Sequence, residues 1–110
     1  VFSGTRPSPP PPHLPWPPAV EVYRHAVPGA FILDLCVVEV NQHTRVALAT
    51  TKGLMVFDET SQSIIAELEI PASTPGVLVA CRSVAWSWDG TEIAAGWGDQ
   101  TIRVYSHGAW

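Results

Sequence analysis

Ser83–Ser106, SVAWSWDGTEIAAGWGDQTIRVYS, decides how this chain is read. Three short apolar runs, SVAWS, TEIAAGW and TIRVY, are separated by turns built from Asp89-Gly90 and from Gly98-Asp99-Gln100. Asp and Gly tolerate the backbone angles of tight hairpin turns, so the runs read as three antiparallel strands. Alternation within them sets Val84 and Trp86 on one side of the first strand and turns Ile102 and Val104 inward on the third. Arg103 falls on the opposite face, where an exposed charge at an edge discourages strand-on-strand aggregation.

Upstream the pattern repeats more loosely. FILDLCVVEV (Phe31–Val40), RVALA (Arg45–Ala49), LMVF (Leu54–Phe57) and SIIAELEI (Ser63–Ile70) read as four strands joined by short polar turns. In the last of them Ile64, Ala66, Leu68 and Ile70 share an apolar face, while Ile65, Glu67 and Glu69 share the wetter one. No segment carries a sustained 3.6-residue stripe, and no connection has room for a crossover helix, so the expected fold is all-β and antiparallel. Gly53–Asp58 overlays on Thr101–Ser106, an internal repeat of roughly 40–50 residues typical of stacked β-sheet arrays. The intervening PASTPGVL (Pro71–Leu78) is read as a linker.

Composition narrows the classes. Of 110 residues, 46% are hydrophobic and only 15% charged, against roughly 25% charged in an average globular protein. So little charge leaves apolar surface for another chain, or more of the same chain, to cover. A net charge of −4, with Lys52 the one lysine and five scattered arginines, argues against a nucleic-acid partner. No apolar run approaches the roughly 18 residues of a membrane span, and none near the N-terminus has the form of a secretory signal. The first residue is Val1 rather than methionine, from which a fragment or a processed chain is expected. The two cysteines, Cys36 and Cys81, are too few for a secreted disulfide framework and read as reduced core thiols of an intracellular, cytoplasmic protein.

Residues 1–18 are a different material. Arg6–Pro18 holds eight of the eleven prolines, which fix φ and remove donors, so the stretch is expected to be disordered or polyproline II. Arg6, Pro9 and Pro12 fit the basic-x-x-Pro-x-x-Pro pattern that SH3-type domains read, although a stiff linker satisfies the same composition. Residues 19–30 form an extended arm, in which Ala19–Arg24 alternates.

The residues of Ser83–Ser106 resemble one WD repeat of a β-propeller: an apolar strand, an Asp-Gly turn, a small-residue strand, an Asp turn and a strand ending in an aromatic. Asp99 stands at the turn aspartate of that pattern, Tyr105 replaces the usual tryptophan and Trp88 the usual proline. Phe31–Ile70 matches less closely, with Phe57-Asp58 as its closing pair. The resemblance implies antiparallel four-stranded blades: one full blade and one lacking its outer strand over residues 31–110, within an incomplete propeller. Trp86, Asp89, Gly90, Asp99, Tyr105, Phe57 and Asp58 would hold structural repeat positions. It also implies that the arm closes the ring, with Val20 and Val22 packing on a blade encoded elsewhere; a plain extended arm is the other reading.

Chemistry is sparse. His13, His25, His43 and His107 have no metal-ligand spacing, and Gly96-Trp-Gly98 lacks the third glycine and the helix of a dinucleotide fingerprint. Ser87 and Asp89 have no nearby histidine, and Glu67 with Glu69 reads as a solvated strand face. No cofactor, metal or catalytic role is expected. Trp88, in a turn, and Trp97, at a strand end, are expected at a rim, where with Arg103 they either meet a partner or cover the neighbouring blade. The leading expectation is a non-catalytic protein-interaction scaffold, its partners the rest of the propeller or other subunits. An adaptor working through the proline segment and a piece of a larger enzyme are the alternatives.

Overall fold

The computed structural model describes residues 18–106, and the proline motif of Arg6, Pro9 and Pro12 lies outside them. Seven strands follow one another: β1 Ile32–Val40, β2 His43–Thr50, β3 Gly53–Asp58, β4 Ser63–Leu68, β5 Cys81–Trp86, β6 Glu92–Trp97 and β7 Ile102–Ser106. They form a four-stranded sheet, β1-β2-β3-β4, and a three-stranded sheet, β5-β6-β7, every pair antiparallel. No helix is present among the described residues. Each strand pairs with the next in sequence because the joining turns are short, and residues at positive φ make them tight: Asn41 and Gln42 before β2, Gly90 before β6, Gln100 before β7.

The sheets stack face to face. Ala47, Ala49, Leu54 and Val56 of the first meet Cys81, Val84, Ile93, Ala95 and Trp97 of the second in one buried cluster. The alanines of β2 let the second sheet approach closely, and Ile93 with Trp97 fills the space they leave. β1 and β5 run side by side: the Val84 amide donates to Asp34 Oδ2 at 3.1 Å and the Trp86 indole donates to the Cys36 carbonyl at 3.0 Å. Trp86 thus packs half-buried against the joint, with its polar end satisfied.

The opposite face of the first sheet has its own cluster, Val46, Leu48, Met55 and Phe57. The arm lies over it through Tyr23, stacked on Phe57 with ring centroids 5.5 Å apart, and through Val27. Residues 18–26 form no strand, and Val20 and Val22 are each 82% exposed.

Three expectations need correction. Ile102 and Val104 do not face inward: they are 81% and 60% exposed, and Arg103 with Tyr105 turns toward the first sheet instead. Alternation was right and the choice of face wrong, because the joint forms on the side where Ile93, Ala95 and Trp97 lie. Ile64 does not share a face with Ala66. The register shifts between Val56 and Phe57, so Ile64 pairs with Phe57 and joins its cluster, while Ile65 and Ala66 both pack toward the joint. Trp97 is not at a rim but 4% exposed, so the exposure on which its partner-binding reading rested is missing, and it covers the neighbouring sheet. The Pro71–Leu78 linker is itself ordered, Pro71 bridging Leu78 and the Val79 amide donating to Ile70 at 2.8 Å.

Candidate functional site

The candidate site is the pair of turn-bearing ends of the joint rather than a catalytic pocket. At one end stand the β1–β2, β3–β4 and β5–β6 turns. Asp89 organises the last of these: its Oδ1 accepts from the Ser87 hydroxyl at 2.7 Å, the Thr91 hydroxyl at 2.8 Å and the Thr91 amide at 3.1 Å. Gly90, at φ +72, presses against β1 so closely that a Cβ there would overlap Val40 Cγ2. This pins Trp88 on the outside, 92% exposed. In the β3–β4 turn Asp58 accepts from the Ser61 amide at 2.9 Å and faces Arg45 Nε at 3.3 Å.

At the other end, Asp99 repeats the same device in the β6–β7 turn. It takes the Thr101 hydroxyl at 2.5 Å and the Thr101 amide at 3.2 Å on Oδ1, and Arg103 Nη2 at 3.1 Å on Oδ2. Tyr105 follows, half-buried at the joint, where desolvation pushes its phenol above the usual tyrosine range. The buried Trp97 indole N–H has no acceptor among the described residues; the Tyr105 phenol lies beside it but outside hydrogen-bonding geometry. Of the residues expected at repeat positions, Asp89, Gly90 and Asp99 shape turns, Phe57, Trp86 and Tyr105 pack in clusters, and Asp58 ends β3. Trp88 lies in the β5–β6 turn, whereas Arg103 lies on β7 with its guanidinium on Asp99 of the β6–β7 turn, so the two do not form one patch.

Nucleophilic chemistry finds no support in the geometry. Cys81 is fully buried, and desolvation raises its thiol to about 11, so it is protonated at neutral pH. Cys36 spends its sulfur on the Trp86 amide at 3.5 Å. No cluster of three His, Cys, Asp or Glu that could hold a metal occurs among the described residues, and no described helix is long and apolar enough to cross a membrane.

The three turn aspartates predict a pH dependence. The Ser61 amide holds Asp58 below the usual carboxylate range, the Ser87 and Thr91 hydroxyls do so for Asp89, and the Thr101 hydroxyl does so for Asp99. A carboxylate whose folded value is depressed stabilises the fold above its unfolded value of about 3.9, and the contribution is lost as pH falls through the folded value. Thermal melting should therefore be flat from about pH 7 to 5 and fall progressively below about pH 4. Asp89→Asn and Asp99→Asn should flatten that acid limb.

No protein-family model matches the chain. Part of it is similar to proteins named small ribosomal subunit protein RACK1. It is 38% identical over 58 residues to the Trypanosoma brucei brucei protein, covering 52% of this chain and 18% of that protein. It is 38% identical over 79 residues to RACK1z of Oryza sativa, covering 70% and 23%, and 32% identical over 73 residues to RACK1z of Arabidopsis thaliana, covering 54% and 22%. The chain thus spans about a fifth of the length of these curated relatives. Those relatives are β-propeller proteins. The fold here is that of partial propeller blades. The first sheet has four antiparallel strands and the second has three among the described residues.

Sequence reasoning missed Asp34 and Cys36, which tie β1 to β5. Both lie inside an apolar run, and only the stacking of the blades gives them partners fifty residues away.

Proposed function

We propose that the chain is a section of a WD-repeat propeller that serves as a non-catalytic protein-interaction scaffold inside the cell. The observation that carries this reading is a matched pair of positions. In the first blade, Leu54 and Val56 of β3 are buried in the joint with the next blade. Their repeat equivalents in the second blade, Ile102 and Val104 of β7, lie on the corresponding far face, beside Ala85 and Ala94, and are exposed. A further blade, packed as the second packs on the first, would cover them, since repeat units stack to bury a continuous core. The likeness to RACK1 proteins supports the same reading and favours protein partners in assemblies such as the ribosome. Trp88 is the exposed aromatic best disposed to anchor such a partner.

The purified chain should self-associate in sedimentation velocity at micromolar concentration, because its open blade faces are apolar. The double variant Ile102→Lys, Val104→Lys should sediment as a monomer with unchanged far-UV circular dichroism. A wild-type chain that stays monomeric and gains nothing in solubility from the lysines would sink the partial-propeller reading.

A further inference from the structure

The end of the joint away from Trp88 holds a cavity of about 670 Å³ between the ordered 70–80 segment and the β6–β7 turn. It is lined by the apolar Ile70, Leu78 and Val79 and by three charged side chains, Arg82, Arg103 and the Asp99 carboxylate that pairs with Arg103. Two guanidinium groups on one cavity are unexpected in a chain with six basic residues and a net charge of −4.

How Arg82 comes to be there is written in the backbone. Cys81 pairs with Trp97 and Ser83 with Gly96, so Arg82 is the extra residue of a β-bulge. Bulges redirect a side chain out of the alternating pattern of its strand. Here the redirected guanidinium lies against the β6–β7 turn: a Cβ built on Gly98 would stand 3.5 Å from Arg82 Nε. Of the four arginines among the described residues, Arg24, Arg45 and Arg103 are in ion pairs with Glu21, Asp58 and Asp99. Arg82 has no ion pair or hydrogen bond among the described residues. Arg103 is held in place by Asp99 and by the Thr101 hydroxyl, at 3.1 and 3.2 Å. A guanidinium carries five N–H donors, so these contacts leave others to offer.

We propose that this cavity is a docking site for a peptide segment of a partner protein that carries an oxyanion, a side-chain carboxylate or a phosphoryl group, next to an apolar residue. Arg82 and Arg103 grip the oxyanion, Arg82 as a two-toothed fork and Arg103 by its remaining donors, and the apolar neighbour settles on Ile70 and Leu78. The apolar Ile70, Leu78 and Val79 in the lining favour a peptide over a free anion, and the acidic net charge disfavours an extended polyanion such as RNA. The inference rests on the interaction-scaffold reading, but all the lining residues lie between Ile70 and Arg103, on the segment joining the two sheets and on the second sheet, so no further blade is required.

The test is fluorescence anisotropy of the full chain with three labelled probes: a glutamate-rich peptide containing leucine, a phosphoserine peptide beside its unphosphorylated twin, and an oligouridylate of equal charge. Binding of the glutamate or the phosphoserine peptide is expected, and which of the two binds more tightly identifies the oxyanion. Arg82→Ala should weaken it roughly tenfold or more, and Arg82→Lys by a smaller factor, since an ammonium cannot make two parallel bonds. In wild type the bound peptide should shift the Gly98 and Arg82 amide resonances, a readout independent of whether a variant folds. Failure of both peptides to bind at millimolar concentration overturns the proposal. So does binding indifferent to Arg82, or an oligouridylate that binds more tightly than either peptide. Any of these leaves the propeller reading intact, because that reading is tested by sedimentation of the Ile102 and Val104 variant.

Discussion

Ile93→Ala will lower the unfolding free energy by about 2–5 kcal/mol, the range for truncating a fully buried aliphatic side chain. Ile93 is fully buried at the centre of the joint, where the cluster takes in Ala47, Ala49, Leu54 and Val56 from the other blade. The small alanines of β2 cannot expand to refill the space, so the cavity persists and the loss belongs in the upper part of that range. Single domains are stable by only about 5–15 kcal/mol, so the variant will sit near the edge of folding, and urea denaturation at equal slope will read the shift. Ile102→Ala provides the contrast. It removes the same kind of side chain from an exposed position and should stay within about 0.5 kcal/mol of wild type. Equal losses at the two positions would mean that the joint does not form on the Ile93 face.

The second large effect is expected at Gly53. Its φ is +130°, a region almost closed to residues with a Cβ, and an added Cβ would overlap the Leu68 carbonyl oxygen of the neighbouring strand. Neither partner can give way cheaply, because the obstacle is backbone inside a four-stranded sheet. Gly53 opens β3 directly after the β2–β3 turn, where the buried Thr50 hydroxyl donates to the Gly53 carbonyl at 2.8 Å and accepts from the Lys52 amide at 3.1 Å. Gly53→Ala should therefore cost on the order of 3 kcal/mol through backbone strain and the loss of β3–β4 pairing. Hydrogen exchange would show faster amides in β4 before any change in β6. A variant as stable as wild type would refute the tight turn geometry. Gly76 serves as the control: it has open space around it and only the φ of +79° to lose.

Much of the fold was legible because strand alternation and turn chemistry are local signals. The Asp89-Gly90 and Gly98–Gln100 turns, the strand order within each sheet and the three strands of the second sheet all follow from residues near one another in the chain. The candidate site was less legible. Trp88 reads as exposed from its place in a turn, and it is. Trp97 reads the same way from sequence but is buried, because its depth depends on which face of β6 meets the first blade. Arg82 carried no signal at all: the register shift that redirects it belongs to the pairing of β5 with β6, which no residue of β5 alone announces.

The sequence by itself determined the strands, their antiparallel order and the repeat, because hydrophobic period and turn residues act over a few positions. Which face of the second blade became core was left to the tertiary structure. Ile102 and Val104 alternate with Arg103 and Tyr105 as well on one side as on the other, and a period of two carries no sign. The choice was made by packing: the face with Ile93, Ala95 and Trp97 fits against the alanines of β2 and over Leu54 and Val56. That same packing left Ile102 and Val104 on the open side and brought Arg82 and Arg103 to one cavity.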